Sequence, residues 1–423
     1  MIGQPTRRRL IKAAAACAAA AAFPAPLIAQ GAPRVVIIGG GFGGTSCARA
    51  LKQADPRIAV TLVETNPTYT AGPHSNAVLG GLADLKGQEF GYDKVKADDI
   101  DVVLSAATAI DPARKIVTLA NGTTLPYERL VVSPGIGFRD GAIEGYDAAA
   151  MALMPPAFTS GPEIGLLRRQ LEAMEDGGTV IITAPVNPAR CPPAPYERAS
   201  LIAHYLKTSK PRSKVIVLDS KDSFTMQKLF EAAWNELYPG LITWVGLSSG
   251  GAPNAVEVSS KTVVTEFDKY SGAVVNIIPP QKAGHAADLA GVADRTGWCP
   301  VDPVTFESRL QKDVHVIGDA AIAGAMPRSA SAAYSQGQIC AKAIVALLAG
   351  RQPQAPVLTS SCFSLLAPHY AISQRGTYRP VDDQYNEAGP VIISPVGAPL
   401  ALRKQEADEA ETWFRTITAE TFG

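Results

Sequence analysis

The strongest constraint on this chain is the run Val35-Val36-Ile37-Ile38-Gly39-Gly40-Gly41-Phe42-Gly43-Gly44. Four branched apolar residues in a row suit a strand covered on both faces. They end in glycines spaced G-x-G-x-x-G, at Gly39, Gly41 and Gly44, and residues 45–51 continue as a helix. Gly39 permits the tight turn, Gly41 admits a pyrophosphate to the backbone, and Gly44 lets helix pack close to strand. The helix start then offers free N–H groups and its positive dipole end to phosphates. A second strand, residues 58–64, ends in Glu64, placed to bond a ribose hydroxyl. Together these pieces make a β-α-β unit with a dinucleotide site.

The 423 residues, 47 % of them hydrophobic, allow two or three domains with a large core. The formal charge is zero, which argues against nucleic acid as a partner. Residues 1–29 hold Arg7, Arg8, Arg9 and Lys12 and no acid. Taking those four bases from the 39 leaves 35 against 39 acids, a net of −4. The stretch Thr6-Arg7-Arg8-Arg9-Leu10-Ile11-Lys12, a short alanine-rich segment and Leu27-Ile28-Ala29 resemble a twin-arginine export signal. The apolar segment is too short for the roughly 20 residues a membrane span needs. A periplasmic destination is expected, where disulfides persist.

Further along, residues 115–132 read as strands with Asn121-Gly122 as a hairpin turn, ending in the apolar run before Ser133-Pro134-Gly135. Prolines at 155, 156 and 162 mark a boundary. A second β-α-β unit follows: a strand at 178–183, a helix at 196–207 and a strand at 215–219. Its turn, residues 184–193, holds four prolines and no glycine. Proline removes donors and fixes φ, so no phosphate cradle is expected there and no nicotinamide cofactor. Residues 314–319 form a late apolar strand ending in Gly318-Asp319, just before a helix at 331–348. Flavoproteins built from two dinucleotide-binding domains use such an aspartate on the ribityl chain and such a helix start against the flavin ring. A third region, from 351, ends in a polar helix at 404–418. The expected domains are a signal (1–29), a discontinuous FAD-binding domain (30–158 and 285–350), a degenerate dinucleotide-binding-like domain (159–284) and a C-terminal α+β domain (351–423).

Six cysteines occur, and Cys17 lies in the signal. None of the other five forms C-x-x-C or C-x-x-C-H, so neither a c-type haem nor zinc is expected on this chain, and no other metal site emerges. Cys191, in Arg190-Cys191-Pro192-Pro193-Ala194-Pro195-Tyr196-Glu197-Arg198, sits where the second domain would bring nicotinamide to a flavin. A cysteine there can relay two electrons, and Cys362 in the C-terminal region is its candidate partner. Cys47 and Cys340 read as core residues and Cys299 as structural. Gly246-Leu247-Ser248-Ser249-Gly250 matches G-x-S-x-G, but Pro253 follows and no prompt helix can start, which excludes a nucleophile elbow.

These stretches, with Gly297-Trp298-Cys299-Pro300-Val301-Asp302, His315-Val316-Ile317-Gly318-Asp319-Ala320, Met326-Pro327-Arg328-Ser329 and Thr421-Phe422-Gly423, resemble the flavoprotein subunit family of flavocytochrome c sulfide dehydrogenase. The resemblance covers essentially the whole mature chain. It implies a glutathione-reductase-like fold, FAD, oxidation of sulfide and electron transfer to a c-type cytochrome. It carries a redox disulfide over to Cys191 and Cys362, and the acid near the flavin to Glu197. Members of the family attach FAD through a cysteine in the loop after the second strand. The aligned residue here is Gly72, so FAD is expected to bind without a covalent link. Two other readings remain beside it. A sulfide:quinone oxidoreductase would share fold and chemistry but needs a membrane face, which the charged run 403–411 does not supply. A non-catalytic flavin-binding partner of a cytochrome would need no cysteine at the flavin.

Overall fold

The computed structural model describes residues 31–159 and 161–423. The twin-arginine stretch and Cys17 lie outside them. Among the described residues, a five-stranded parallel sheet forms the first layer. Its order is Val314–Val316, Arg129–Val132, Arg34–Ile38, Ala59–Glu64, Asp101–Leu104. Val35, Ile37, Leu62, Leu130, Val131 and Val314 are fully buried in it. Each such side chain contributes about 1.5–3 kcal/mol of hydrophobic stabilisation. That dense burial is why these strands read as unbroken apolar runs. The late strand Val314–Val316 pairs with Arg129–Val132, so the chain returns to its first sheet after leaving for the second.

The turn behaves as its glycines require. Gly39 has φ +103°, and a Cβ on it would strike the Ser133 carbonyl. A Cβ on Gly44 would strike the Gly39 carbonyl oxygen, so the helix Phe42–Ala54 can sit this close only without one. The helix Ala330–Leu348 packs along Phe42–Ala54 and starts from the Ser329 cap, whose hydroxyl accepts the Ala332 N–H at 3.2 Å.

A second parallel sheet has the order Ile242–Val245, Lys214–Asp219, Thr179–Ala184, Val274–Asn276. The helix expected at 196–207 spans Ala194–Ser209. The hairpin at Asn121-Gly122 pairs Ile116–Leu119 with Thr124–Pro126. Residues 66–92 contain the short helix Ser75–Leu79 and two three-residue strands, Thr68–Thr70 and Glu89–Gly91. Elements of three to five residues leave no periodicity to read. The G-x-S-x-G stretch is a single 3-10 turn, Leu247–Ser249, with no helix after it.

The third unit is an antiparallel sheet, Leu358–Ala367, Tyr370–Val381 and Gln384–Glu387, with Ile392–Ile393 on Tyr370–Val381. The terminal helix runs Leu400–Phe422, longer than the expected 404–418. Its last aromatic, Phe422, stacks on Tyr69 at 5.3 Å and Phe90 at 5.2 Å and meets Phe42 edge-on at 5.5 Å. The chain end is thereby fastened beside the glycine turn. The fold is α/β: two Rossmann-like domains and a C-terminal sheet-and-helix domain. Among the described residues no helix is long and apolar enough to cross a membrane.

Candidate functional site

Two cavities join beneath the C-terminal sheet. The larger, about 630 Å³, is lined by the glycine turn, Glu64, Pro134 and Asp319. The smaller, about 90 Å³, is lined by Gly72, Asn76, Cys191, Glu197, Cys362 and Trp413. Arg190 and Ala330 line both, so the two form one cleft running from the glycine turn to the cysteines.

The nucleotide end has the groups a dinucleotide needs. Gly41 stands at the cap of Phe42–Ala54 with no side-chain bond to its free N–H groups. Glu64 lines the cavity, with Oε2 accepting Gly40 N–H at 2.8 Å and Oε1 accepting Thr65 N–H at 2.7 Å and Asn66 N–H at 3.0 Å. Its oxygens are thus held rigid by backbone donors while keeping lone pairs for a hydroxyl.

Asp319 lies on the turn Gly318–Ala320 at the end of the late strand. Its Oδ2 faces Arg190 Nε at 3.5 Å, and Oδ1 is buried without a partner. Burial pushes the Asp319 carboxyl above the usual range, against the pull of Arg190 and Arg328. An unpartnered buried oxygen in a cleft is costly unless a ligand donor meets it. A ribityl hydroxyl is such a donor, so the residues present fit a flavin dinucleotide.

The cysteine end is assembled from two domains. Cys191 sits on the turn before the helix Ala194–Ser209, at φ +45°. Its N–H donates to the Arg328 carbonyl at 2.7 Å, and its carbonyl accepts Ala194 N–H at 2.9 Å. A non-glycine residue held in the left-handed region stores strain of about 1–3 kcal/mol, which the surrounding bonds must maintain. Cys362 comes from the strand Leu358–Ala367. Both are partly exposed, whereas Cys47, Cys299 and Cys340 are buried. Burial raises the Cys191 thiol far above its usual value, and Cys362 and Glu197 nearby add to this while Arg190 opposes it. Cys362 is also raised by burial, with the Ser329 and Ser360 hydroxyls opposing. All five cysteines among the described residues are free thiols. The pair implied by the resemblance is therefore brought to one cavity in its dithiol form, without the bond.

Glu197 lies in the first turn of Ala194–Ser209. One oxygen accepts Asn76 Nδ2 at 2.9 Å, the other Leu365 N–H at 2.9 Å. Burial pushes its carboxyl up to about 7 despite these bonds and the nearby Arg198.

Several participants were not singled out from the sequence. Arg198, 2 % exposed, donates to Asn76 Oδ1 at 3.0 Å, Asn276 Oδ1 at 2.8 Å and the Ala157 carbonyl at 2.6 Å. Asn76 thus bridges Arg198 to Glu197 and is locked in one orientation. Arg190 donates to the Phe158 carbonyl at 3.0 Å and takes the space beside Gly72. Arg190 and Arg198 flank Cys191 and Glu197 in one short run, which was the only sequence signal for either. Among the described residues no His, Cys, Asp or Glu cluster could hold a metal ion.

Comparison with known proteins gives three family matches. Residues 33–156 match pyridine nucleotide-disulphide oxidoreductase. Residues 164–279 match the central part of the sulfide dehydrogenase (flavocytochrome c) flavoprotein chain, and residues 354–422 the flavin-binding part of flavocytochrome c sulphide dehydrogenase. The chain is 54 % identical over 48 residues to the sulfide dehydrogenase (flavocytochrome c) flavoprotein chain of Chlorobaculum thiosulfatiphilum, covering 11 % of this chain and 100 % of that sequence. It is 24 % identical over 297 residues to the mitochondrial sulfide:quinone oxidoreductase of Dictyostelium discoideum, 68 % of this chain but only 65 % of that relative. Its fold is similar to the sulfide:quinone oxidoreductase of Aquifex aeolicus, with TM-score 0.70, 16 % identity and 92 % of each chain covered.

Proposed function

The chain belongs to the family of the flavocytochrome c sulfide dehydrogenase flavoprotein chain, and from that premise we propose that it is an FAD-dependent sulfide dehydrogenase delivering electrons to a c-type cytochrome. One observation carries this reading. Cys191 and Cys362, from different domains, line the same small cavity at the end of a cleft that starts at the glycine turn.

FAD would be held by the turn at 39–44, by Glu64 at the ribose, by Asp319 at the ribityl chain and by the helix start at Ser329-Ala330. When bound, it supplies an oxidant that takes two electrons from the cysteine pair and gives them up singly, as a haem acceptor requires. With the pair oxidised, HS⁻ attacks one Sγ. A sulfur–sulfur bond forms to the substrate, the Sγ–Sγ bond breaks, and the other cysteine leaves as thiolate. A second HS⁻ releases the bound sulfur as a polysulfide and leaves both cysteines reduced. Reforming the disulfide then frees protons. Glu197, near neutrality and close to both thiols, is the group placed to take them.

The localisation belongs to the same reading: export by the twin-arginine stretch to the periplasm, where the cytochrome partner would be met. The similarity to sulfide:quinone oxidoreductases favours quinone as the second choice of acceptor. Purification of the native protein decides between them. Co-purifying haem and reduction of cytochrome c by sulfide support the first reading. Reduction of a soluble quinone but not of cytochrome c overturns it. A flavin that sulfide does not bleach would leave only a non-catalytic flavin carrier.

A further inference from the structure

Cys362 faces a second cavity as well. This one, about 300 Å³, is lined by Thr225, Met326, Gln374, Tyr378 and Glu387 together with Cys362. Asn187 and Glu387 at its rim are exposed. Cys191 lines the first cavity and not this one. In the C-terminal sheet Cys362 pairs with Gln374 and Ser360 with Gly376, and all four line this chamber. Gly376 and Tyr378 both line the chamber, and a Cβ on Gly376 would meet the Tyr378 hydroxyl.

The two faces of Cys362 are not equivalent. The first cavity is continuous with the nucleotide cleft, so a bound flavin would cover that face. The second cavity lies clear of the cleft. Attack at Cys362 from the second cavity leaves Cys191, which faces the first cavity, as the departing sulfur.

Resting on the sulfide-oxidising reading, we propose that the second cavity is the entrance through which hydrosulfide reaches Cys362, and that Cys362 is the sulfur attacked. The step balances as HS⁻ plus the disulfide giving a Cys362 persulfide, which keeps the hydrogen, and a Cys191 thiolate. The bound flavin is the oxidant that later takes the two electrons. The chamber, about 300 Å³, also has room for a short polysulfide, whose terminal sulfur would attack the same Sγ by the same exchange, so the substrate class extends to short polysulfides.

The test uses the full FAD-loaded chain. Glu387→Trp and Thr225→Trp each place a large ring at the chamber from residues that are not paired with either cysteine in the sheet. The expected result is at least a tenfold slower bleaching of the flavin by sulfide in stopped flow, with FAD content and bleaching by dithionite unchanged. Wild-type sulfide rates in both variants, with full FAD, would overturn the entrance. A second measurement does not depend on activity or on the variants. The wild-type enzyme, reduced with dithiothreitol and kept FAD-loaded, is pulsed with iodoacetamide and mapped by peptide mass. Cys362 labelled at least tenfold faster than Cys191 supports the proposal, and Cys191 labelled first refutes it. Should sulfide fail to bleach the wild-type flavin, the functional reading falls, and the labelling order still decides which sulfur the second cavity reaches.

Discussion

The Arg190 guanidinium occupies the space in which a Cβ on Gly72 would stand. From there it reaches Asp319 Oδ2 at 3.5 Å and the Phe158 carbonyl at 3.0 Å. A glycine at 72 is thus what allows the Arg190 cation to hold Asp319, the aspartate proposed for the ribityl chain. Gly72→Ala should push the guanidinium aside and leave Asp319 misdirected. The expected outcome is FAD bound about tenfold more weakly, about 1.4 kcal/mol, with the fold intact. FAD affinity by fluorescence quenching and the far-UV dichroism spectrum check the two halves separately.

The same relationship bears on how FAD is retained. Among the residues lining the cleft beside Gly72, the side chain in that space is an arginine, which offers no sulfur for a thioether. Acid precipitation should therefore release all the flavin into the supernatant. Yellow colour remaining in a washed acid pellet would point to a covalent link at another residue.

Much of the architecture was legible because it is local. Val35 to Gly44 carries strand, turn and helix start within ten residues, and steric demands at Gly39 and Gly44 match the reading. The site was legible only as far as adjacent residues carried it. Cys191 and Glu197 lie in one short run, but their surroundings come from distant chain. Asn76 meets Glu197 across 121 residues, and Leu365 meets it across 168. No periodicity encodes such pairings. The Phe422 contacts with Phe42 and Tyr69 were equally hidden, since a terminal aromatic does not announce what it packs on.

Glu197 should make both rate and stability depend on pH near neutrality. Its carboxyl is raised by burial to about 7, so between its unfolded value and 7 the folded state holds a proton that the unfolded state has lost. Stability therefore falls as pH rises through that window, by up to about 3 kcal/mol. Proton acceptance needs the ionised form, so sulfide-driven flavin reduction, expressed per HS⁻ to remove the substrate's own ionisation near neutrality, should rise over the same range with an apparent pKa near 7. In Glu197→Gln both the rate profile and the pH slope of the denaturant midpoint should flatten. A retained rise in rate at pH 7 would assign the proton to another group.

NADH should not reduce the flavin. Asp219 ends the second strand of the second parallel unit, where an acid would hold the adenosine ribose. Here it is fully buried, accepting the Tyr196 hydroxyl at 2.5 Å, the Trp244 indole N–H at 2.9 Å and Lys221 Nζ at 2.6 Å. Phe224 stacks on Tyr196 at 3.6 Å and fills the adjoining space. The proline-rich turn at 184–193 adds no phosphate cradle. Bleaching by millimolar NADH in the absence of air would contradict this account.

The last prediction separates the roles of the two cysteines from that of the cofactor site. Cys191→Ser and Cys362→Ser should each keep FAD, because the grips proposed for it lie at the glycine turn and Asp319, in the first domain. Serine changes neither side-chain size much nor the backbone bonds that hold residue 191 at φ +45°. Dithionite should bleach the flavin in both variants at the wild-type rate. Sulfide should bleach neither, with a loss of at least about a thousandfold, or about 4 kcal/mol of barrier, because a lone thiol is no electrophile for HS⁻. Non-reducing peptide maps of the oxidised wild type should pair Cys191 with Cys362, since the other described cysteines, Cys47, Cys299 and Cys340, are buried. A map pairing Cys191 with Cys299, or near-normal sulfide turnover in Cys362→Ser, would require a different electron path.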